Sequence, residues 1–249
     1  MRIAALYDIH GNLPALEAVL REIREEGVDR IVVGGDVLPG PIVHETLRCL
    51  LDIEVPVDFI HGNGESAILA SRAGRAIDGL PEQAREAVRW VAAQLTPEHE
   101  RLLSGWSATC TLDHPRLGEV LFCHATPRSD TEIFTRMTAT DRLRPLFDPL
   151  SVPLVVCGHT HMQFDRRVGP TRVVNAGSVG MPFGSTDACW LLLATEVHLR
   201  RTPYDRSHAA ERMRETAYPR VDDFVSRFVL ETPSEQEMLR QFSAAELPP

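Results

Sequence analysis

The chain has 249 residues, of which 43% are hydrophobic, and it carries a formal net charge of −9. This charge argues against general binding of nucleic acid, since affinity for the phosphate backbone comes from clustered Lys and Arg side chains. Length and apolar content suit one α/β domain spanning residues 1–249, and no apolar segment approaches the roughly 20 residues of a membrane span.

The five cysteines are widely spaced, and most lie in apolar runs without a CxxC pair. An odd number in this pattern predicts reduced thiols in the core. The first residues, MRIAALYD, show no basic stretch before a long apolar run, so we expect a cytoplasmic protein with no membrane partner. The sequence leaves the number of subunits open, and a homo-oligomer is one of the alternatives.

Short apolar runs that end in polar or glycine-rich turns predict buried β-strands. These runs are residues 3–7, 31–33, 57–60, 120–123, 154–157, 172–175 and 189–194. Between the first two, residues 13–27 place apolar side chains on one helical face, with Asn12 as the N-cap and Gly27 as the stop. Strand, helix and strand within about thirty residues form a βαβ unit, so the early strands should be parallel.

The rest of the chain mixes helices with hairpins. Residues 81–106 predict helices that form an insertion or cap, followed by a hairpin around residues 114–115. The runs from 172 to about 204 follow at hairpin spacing and are expected to be antiparallel. Residues 207–249 predict a helix and then a polar tail. Two packed sheets flanked by helices accommodate this mixture better than one open sheet.

Five predicted strands end in turns that carry side chains of the metal-ligand type. These side chains are Asp8, His10, Asp36, Asn63, His124, His159 and His161. In α/β folds the ligand site lies beyond the carboxyl ends of the strands, so these turns should converge. Nitrogen and carboxylate donors without thiolate suit Mn, Zn, Fe, Co or Ni, and seven side chains exceed the needs of one ion. The set fits two ions roughly 3.5 to 4 Å apart if one carboxylate bridges them.

Taken singly, these residues have simpler interpretations. Asp8 alone is typical of a turn carboxylate, and Asn63 alone of a turn residue with positive φ. The histidines at positions 44, 99, 114, 198 and 208 are typical of surface or structural positions. The repetition of ligand-type residues in five turns is what favours a shared site.

The motifs resemble those of the calcineurin-like metallophosphoesterases, in particular a short bacterial and archaeal branch described as diadenosine-tetraphosphatase-like. The matching stretches are DIHGN at 8–12, GGD at 34–36, GN at 62–63, CHATP at 123–127, GHTH at 158–161 and NAGSVG at 175–180. They occur in family order over most of residues 1–190. The resemblance implies an α/β fold, a four-layer αββα sandwich of two mixed β-sheets flanked by helices, with a dinuclear metal centre at the strand ends.

The resemblance also implies roles for individual residues. Asp8, His10 and His161 would hold the first metal ion, Asp36 would bridge, and Asn63, His124 and His159 would hold the second. Two divalent ions are implied, with Mn favoured over Fe, Zn, Co or Ni. The implied activity is hydrolysis of a small phosphorylated substrate, nucleotides included, by a phosphodiesterase or a nucleotide or aryl phosphoesterase. A hydroxide between the metals would attack phosphorus, and Asn12 would steady charge on the phosphate oxygens.

One departure from the family pattern concerns the leaving group. Many members carry a histidine directly after the Asn ligand, where it helps to protonate the leaving group; here that residue is Gly64. General acid catalysis is typically worth about 10² to 10⁴ in rate. We therefore expect a preference for activated esters, or an acid from elsewhere, with His44 and Arg128 as candidates.

Two further departures concern the loops around the implied site. Residues 38–41 read LPGP where the branch often has an aromatic residue, and Ala176 replaces a common proline. We therefore expect the substrate-shaping contacts of this chain to differ from those of the family.

Two other functions are alternatives to phosphoester hydrolysis. The same fold serves as a protein-interaction scaffold in a subunit of the retromer coat, where the ligand set is eroded. Here all seven ligand positions are intact, which favours catalysis, whereas Gly64 favours the scaffold. A different dinuclear hydrolase, such as a peptidase or lactonase, is disfavoured by the Asn ligand and the order of GHTH.

Overall fold

A computed structural model describes residues 1–246 of the protein. The first half contains β1 (Ile3–Leu6), α1 (Leu13–Glu26), β2 (Arg30–Val33), α2 (Val43–Leu51), β3 (Val57–Phe59), α3 (Asn63–Arg72), α4 (Glu82–Gln94), α5 (Pro97–Ser104), β4 (Thr109–His114) and β5 (Gly118–Cys123). The second half contains α6 (Thr140–Phe147), β6 (Leu154–Cys157), β7 (Phe164–Val168), β8 (Thr171–Asn175), β9 (Ala188–Leu193), β10 (Val197–Thr202), α7 (Arg206–Arg214), α8 (Val221–Val225) and α9 (Glu235–Ser243). A π-helical turn, Ser226–Leu230, continues α8.

The strands form two five-stranded mixed sheets. The first has the order β10-β9-β1-β2-β3 and the second the order β4-β5-β6-β8-β7. In the first sheet β1, β2 and β3 are parallel, as the βαβ pattern predicts, while β9 runs antiparallel to β1 and β10. In the second sheet β5, β6 and β8 are parallel, and the edge strands β4 and β7 are antiparallel to their neighbours.

The apolar side chains of each strand divide between two layers because successive residues of a strand point to opposite faces. In β1, Ile3 and Ala5 belong to the cluster between the sheets, together with Phe122 of β5. Ala4 and Leu6 belong to the outer cluster that α1 covers. A third cluster lies under α6 on the outer face of the second sheet. The layers therefore follow the order αββα, which confirms the predicted fold class.

Helix α1 begins and ends where its sequence predicts. The Asn12 side chain accepts a hydrogen bond from the Ala15 N–H at 3.3 Å, which makes it the N-cap. Gly27 ends the helix with φ 61°, a left-handed conformation that glycine adopts without steric cost. Leu16 and Val19 on the buried face join the outer cluster of the first sheet. These local signals fix the helix that follows the first ligand turn.

The region after residue 172 differs from its prediction. Strands β8 and β9 do not form a hairpin, because β8 pairs in parallel with β6 while β9 crosses to the first sheet beside β1. The antiparallel hairpin of this region that joins the first sheet is β9 with β10. Strand β7 was not predicted, since the charged residues 165–167 interrupt its apolar pattern. The hairpin predicted around residues 114–115 is confirmed as β4 and β5.

Both regions predicted to be helical, residues 81–106 and the C-terminal region, contain helices, but the number of C-terminal helices differs from the prediction. Helices α4 and α5 occupy residues 81–106 and pack through Val88, Val91 and Leu103 into the same outer cluster as α1. The C-terminal region holds α7, α8 and α9 where one helix was expected. The predicted tail includes residues 247–249, which lie outside the described residues. A cap function for α4 and α5 and the single-domain organisation stay predictions.

The structure also describes the cysteines and the apolar character of the helices. All five cysteines, which lie within residues 1–246, are free thiols, and three of them are buried. Among the helices of that same range, none combines the length and the apolar character needed to cross a membrane.

Candidate metal centre

The predicted ligand turns of both sheets meet at one place. In the first sheet, His10 follows β1 and Asp36 follows β2, and the Nε2 atom of His10 lies 3.8 Å from Oδ2 of Asp36. In the second sheet, His124 follows β5, and its Nε2 atom lies 3.6 Å from Oδ1 of Asp36. The Asp36 carboxylate therefore lies between a histidine from each sheet.

On the side of the first predicted ion, three side chains come within ligand spacing of one another. The Nε2 atoms of His10 and His161 are 3.2 Å apart, and Nε2 of His161 lies 3.5 Å from Oδ1 of Asp8. One ligand atom from each of these residues lies within 4.8 Å of the others. Such spacing allows one cation to contact all three side chains.

On the side of the second predicted ion, His124 is the central residue. Its Nε2 atom lies 3.1 Å from Oδ1 of Asn63, and its ring centroid lies 5.1 Å from that of His159. Asp8, Asp36 and His124 form a second group whose ligand atoms lie within 4.8 Å of one another. Because Asp8 belongs to both groups, the assignment of Asp36 as the bridging carboxylate stays a prediction.

Three of the histidines share an arrangement that exposes Nε2 to the centre. In each, Nδ1 hydrogen-bonds a backbone carbonyl oxygen: His10 with Pro39 at 3.1 Å, His124 with Gly34 at 3.0 Å and His161 with Met181 at 2.8 Å. A neutral imidazole that donates from Nδ1 keeps a lone pair on Nε2, which is the form that binds a metal. The backbone therefore orients these rings as ligands.

Backbone strain is concentrated at the predicted ligands. Within residues 1–246, six non-glycine residues have positive φ, and five of them are Asp8 at 54°, His10 at 47°, Asp36 at 51°, His159 at 67° and His161 at 57°. The left-handed conformation costs an L-residue roughly 1–2 kcal/mol. A residue keeps this left-handed conformation only where the surrounding structure stabilises it, and such strained residues are common at functional sites. This concentration supports a functional interpretation of the turns.

A nearby positive charge would stabilise the buried carboxylates of the centre, Asp8 and Asp36. Burial opposes ionisation of Asp8, but the neighbouring His161 and His124 hold its pKa at about 2. Burial and then the charge of Asp8 raise the pKa of Asp36 well above its usual range. Oδ1 of Asp8 is buried and receives no hydrogen bond from any residue of 1–246, a condition that a bound cation would relieve. The residues present therefore fit a divalent metal ion.

The histidines differ in their protonation before a metal binds. Burial lowers the pKa of His10 to about 3, and burial likewise lowers the pKa of His159 to about 3, so both rings are neutral near pH 7. Burial also disfavours the charged form of His161, but attraction to Asp8 outweighs it and raises the pKa of His161. Among these three histidines, His161 is thus the ligand at which a proton and a metal ion compete.

Sequence analysis missed Glu65, which ties two ligand turns together. Its side chain is buried and accepts hydrogen bonds from the N–H groups of Asp36 at 2.9 Å, Leu38 at 3.0 Å and Gly62 at 2.8 Å. Burial and the charge of Asp36 raise the pKa of Glu65 to about 8. The available signal was its position as the third residue of α3, where an acidic side chain returns to the helix start.

We expect Glu65→Gln to lower the free energy of unfolding by about 1–3 kcal/mol. A glutamine has one acceptor oxygen, so its NH₂ group would face one of the three N–H donors. Urea unfolding of the metal-free protein above pH 8, where Glu65 is a carboxylate, measures the change. Glu119→Gln, at an exposed position of β5, is the matched control and should stay within about 0.5 kcal/mol of wild type. Equal losses in both variants would contradict the role of Glu65.

The structure explains why a glycine follows Asn63. A Cβ atom at position 64 would lie 2.1 Å from the carbonyl oxygen of Leu38, 2.8 Å from Cδ of Pro39 and 2.9 Å from Oδ1 of Asp36. The Gly64 N–H donates to the same Asp36 oxygen at 2.7 Å. The loop that reads LPGP therefore occupies the space that a side chain at position 64 would need.

The remaining predicted catalytic residues have other partners. Asn12 is fully buried; besides capping α1, its Nδ2 donates to the Gly180 carbonyl at 3.0 Å and to the Tyr204 hydroxyl at 3.2 Å. Both ends of its amide thus have structural contacts, and its contact with phosphate stays a prediction. The side chain of Arg128 is 60% exposed and paired with Glu132.

Of the two candidate acids, only Arg128 is placed beside the centre by the described contacts. It lines a cavity that His124 also lines. His44 lies on α2, where its ring centroid is 5.2 Å from that of His99 on α5. A role for either residue in the reaction stays a prediction.

The chain matches a known protein family over most of its length. Residues 1–197 match the family model described as the calcineurin-like phosphoesterase superfamily domain. The chain is similar to uncharacterized protein MJ0912 of Methanocaldococcus jannaschii, with 24% identity over 242 residues that cover 87% of this chain and 93% of that protein.

Two solved structures resemble the whole fold. The metallophosphoesterase from Sphaerobacter thermophilus is 26% identical with a TM-score of 0.72, and the match covers 91% of this chain and 98% of the other. The hypothetical protein PH1004 from Pyrococcus horikoshii OT3 is 20% identical with a TM-score of 0.76, and the match covers 90% and 97% of the two chains.

Proposed function

The chain belongs to the calcineurin-like phosphoesterase superfamily, and we propose that it hydrolyses phosphate esters with the help of two divalent metal ions. The observation that carries this proposal is the junction of the sheets at Asp36, whose two oxygens lie 3.8 Å and 3.6 Å from the Nε2 atoms of His10 and His124. A structural turn would need neither this convergence nor the left-handed backbone of the ligands. A protein-interaction scaffold also does not need an intact set of metal ligands, so the intact set favours catalysis.

The side chains would have different roles in such a site. Asp8 and Asp36 would supply anionic oxygens, and the imidazole rings would supply neutral nitrogens without adding charge. Mn²⁺ suits this mixture of oxygen and nitrogen donors. When bound, the ions would activate water for attack on phosphorus and offset the charge of the phosphate oxygens. Arg128 donates to Glu132 through Nε and Nη2, and its Nη1 group would contact a phosphate oxygen of the metal centre at the edge of the site.

The test combines metal analysis with turnover. The purified protein should contain about two divalent ions per chain after incubation with Mn²⁺. It should then hydrolyse bis-p-nitrophenyl phosphate or p-nitrophenyl phosphate, and chelation should abolish the activity. A protein that binds no metal and turns over no phosphoester under any condition would instead support the scaffold function.

The space taken at Gly64 leads to a prediction about leaving groups. Without a side chain at that position to donate a proton, the rate should depend steeply on the leaving group, falling by about 10² or more from nitrophenyl to alkyl esters of similar size. The measurement is kcat/KM for a series of phosphodiesters that differ in leaving-group pKa. A rate independent of that pKa would show that another group of the protein supplies the proton.

Metal binding should release a proton from His161. Because its pKa lies above the ordinary 6.5 in the metal-free protein, the ring binds a proton at pH 6.5 that a metal must displace. The affinity for Mn²⁺ should therefore fall as the pH drops, whereas His10 and His159, with pKa values of about 3, contribute no proton. Calorimetric titration at pH 6.5 in buffers of different ionisation enthalpy measures the release, to which Asp36 also contributes because its pKa is raised as well.

A variant identifies the source of this proton. His161→Asn removes the imidazole while asparagine tolerates the positive φ of the position, so the folded variant should release fewer protons than the wild type. The same release in wild type and variant would assign the proton to another residue.

A further inference from the structure

A cavity of about 180 Å³ lies beside the metal centre. Its wall includes His61, Thr109, His124, Thr126, Arg128 and Asp130. His124 also belongs to the metal centre, so a group in this cavity would be attached to a phosphate at that centre through a short link. The cavity is therefore placed to receive one substituent of a phosphoester.

The charged side chains in the cavity wall, Arg128 and Asp130, each contact another residue. The guanidinium of Arg128 donates to Oε1 of Glu132 at 2.8 Å, and Nδ1 of His61 lies 3.7 Å from Oδ2 of Asp130. The carboxylate of Asp130 would repel an anionic group at short range. The cavity is thus better suited to a neutral substituent than to a second phosphate group.

The hydrogen-bonding groups of the cavity favour a hydroxylated substituent. The Ser66 hydroxyl donates to Oδ2 of Asp130 at 2.7 Å and lies 3.3 Å from Nδ1 of His61, which holds both side chains in place. Within residues 1–246, no group donates to Oδ1 of Asp130 or bonds the Thr109 hydroxyl, and both side chains are partly exposed. An apolar ring would leave these polar atoms without partners, whereas alcohol groups would satisfy them.

The volume limits the size of the substituent. A cavity of 180 Å³ equals the liquid volume of about six water molecules, so it holds roughly six non-hydrogen atoms. A nucleoside is larger than this space and would extend beyond it. We infer that the cavity binds a glycerol-sized polyol substituent of the substrate phosphodiester, with Asp130 accepting a hydrogen bond from one of its hydroxyl groups. This inference rests on the proposed function for the position of the phosphate.

Two probes that carry the tested substituent on a C–P bond, which phosphoester hydrolysis leaves intact, isolate the hydroxyl contacts. Methyl 3,4-dihydroxybutylphosphonate and methyl butylphosphonate carry the same charge and differ only in two hydroxyl groups. Calorimetry with the Mn-loaded protein should show about tenfold tighter binding of the dihydroxy compound. In Asp130→Ala the ratio of the two dissociation constants should fall below about threefold, while Asp113→Ala, at an exposed position of β4, should keep the wild-type ratio.

The outcomes separate the cavity from the reaction. Equal affinities in the wild type, a tenfold preference that persists in Asp130→Ala, or binding of neither phosphonate would each overturn the inference. Turnover of bis-p-nitrophenyl phosphate and of the methyl phosphodiester of glycerol is measured in parallel. Selective binding without turnover would refute the proposed hydrolysis and support the polyol site, whereas turnover with equal affinities would do the reverse.

Discussion

Asp36→Asn should lower metal-dependent phosphoester hydrolysis by more than about 100-fold, since loss of even a supporting contact to a metal ligand costs 10- to 100-fold. The substituted amide keeps an oxygen that can accept the Gly64 N–H, and asparagine tolerates φ 51°. The change therefore removes one anionic ligand atom with little effect on the turn. Hydrolysis of bis-p-nitrophenyl phosphate and the metal content of the folded variant are the two measurements.

A matched substitution controls for the loss of a carboxylate in itself. Asp58→Asn in β3 breaks the partly exposed ion pair with Arg30, in which the charged atoms lie 2.6 Å apart. Such pairs contribute about 0–1 kcal/mol, so metal content and activity should stay at the wild-type level. Full metal-dependent activity in Asp36→Asn would remove Asp36 from the centre.

Gly64→Ala should lower the free energy of unfolding by at least about 2 kcal/mol. The new methyl group would lie 2.1 Å from the Leu38 carbonyl oxygen, and a backbone atom cannot move aside as a flexible side chain can. Displacing that loop would also disturb Pro39, whose carbonyl lies 3.1 Å from Nδ1 of His10. Metal affinity should therefore decrease together with stability, as measured by urea unfolding and Mn²⁺ titration.

The control for this prediction is a glycine with room around it. At Gly105 a Cβ atom would meet nothing nearer than 3.4 Å, and φ is −84°, so Gly105→Ala should change stability by no more than about 0.5 kcal/mol. Gly64→His should lower activity as well, because the loop prevents the added imidazole from reaching a catalytic position. Higher activity on alkyl esters in Gly64→His would show that the loop yields and that a proton donor was missing.

The parts of the fold that could be predicted from the sequence are those set by local signals. The bounds of α1 follow from the capping by Asn12 and the left-handed conformation of Gly27. The strands before the ligand turns follow from short apolar runs, and their convergence follows from parallel pairing. The candidate ligands were therefore predictable as a group before any distance was known.

The parts that could not be predicted depend on contacts between distant residues. Nothing in the sequence of β8 and β9 indicates that they belong to different sheets, because their partners β6 and β1 lie far away along the chain. Glu65 receives hydrogen bonds from residues 27 and 29 positions away, so its position near the ligand motif did not reveal its role. The packing of the Leu38 carbonyl against Gly64 is likewise a tertiary contact.

The most direct test of a shared pair of cations is anomalous diffraction from crystals of the protein grown with Mn²⁺. Two peaks roughly 3.5–4 Å apart are expected in the anomalous difference map. One should lie among Asp8, His10 and His161 and the other among Asn63, His124 and His159, with the Asp36 carboxylate between them. A map with one peak, or with no peak near Asp36, would contradict the account.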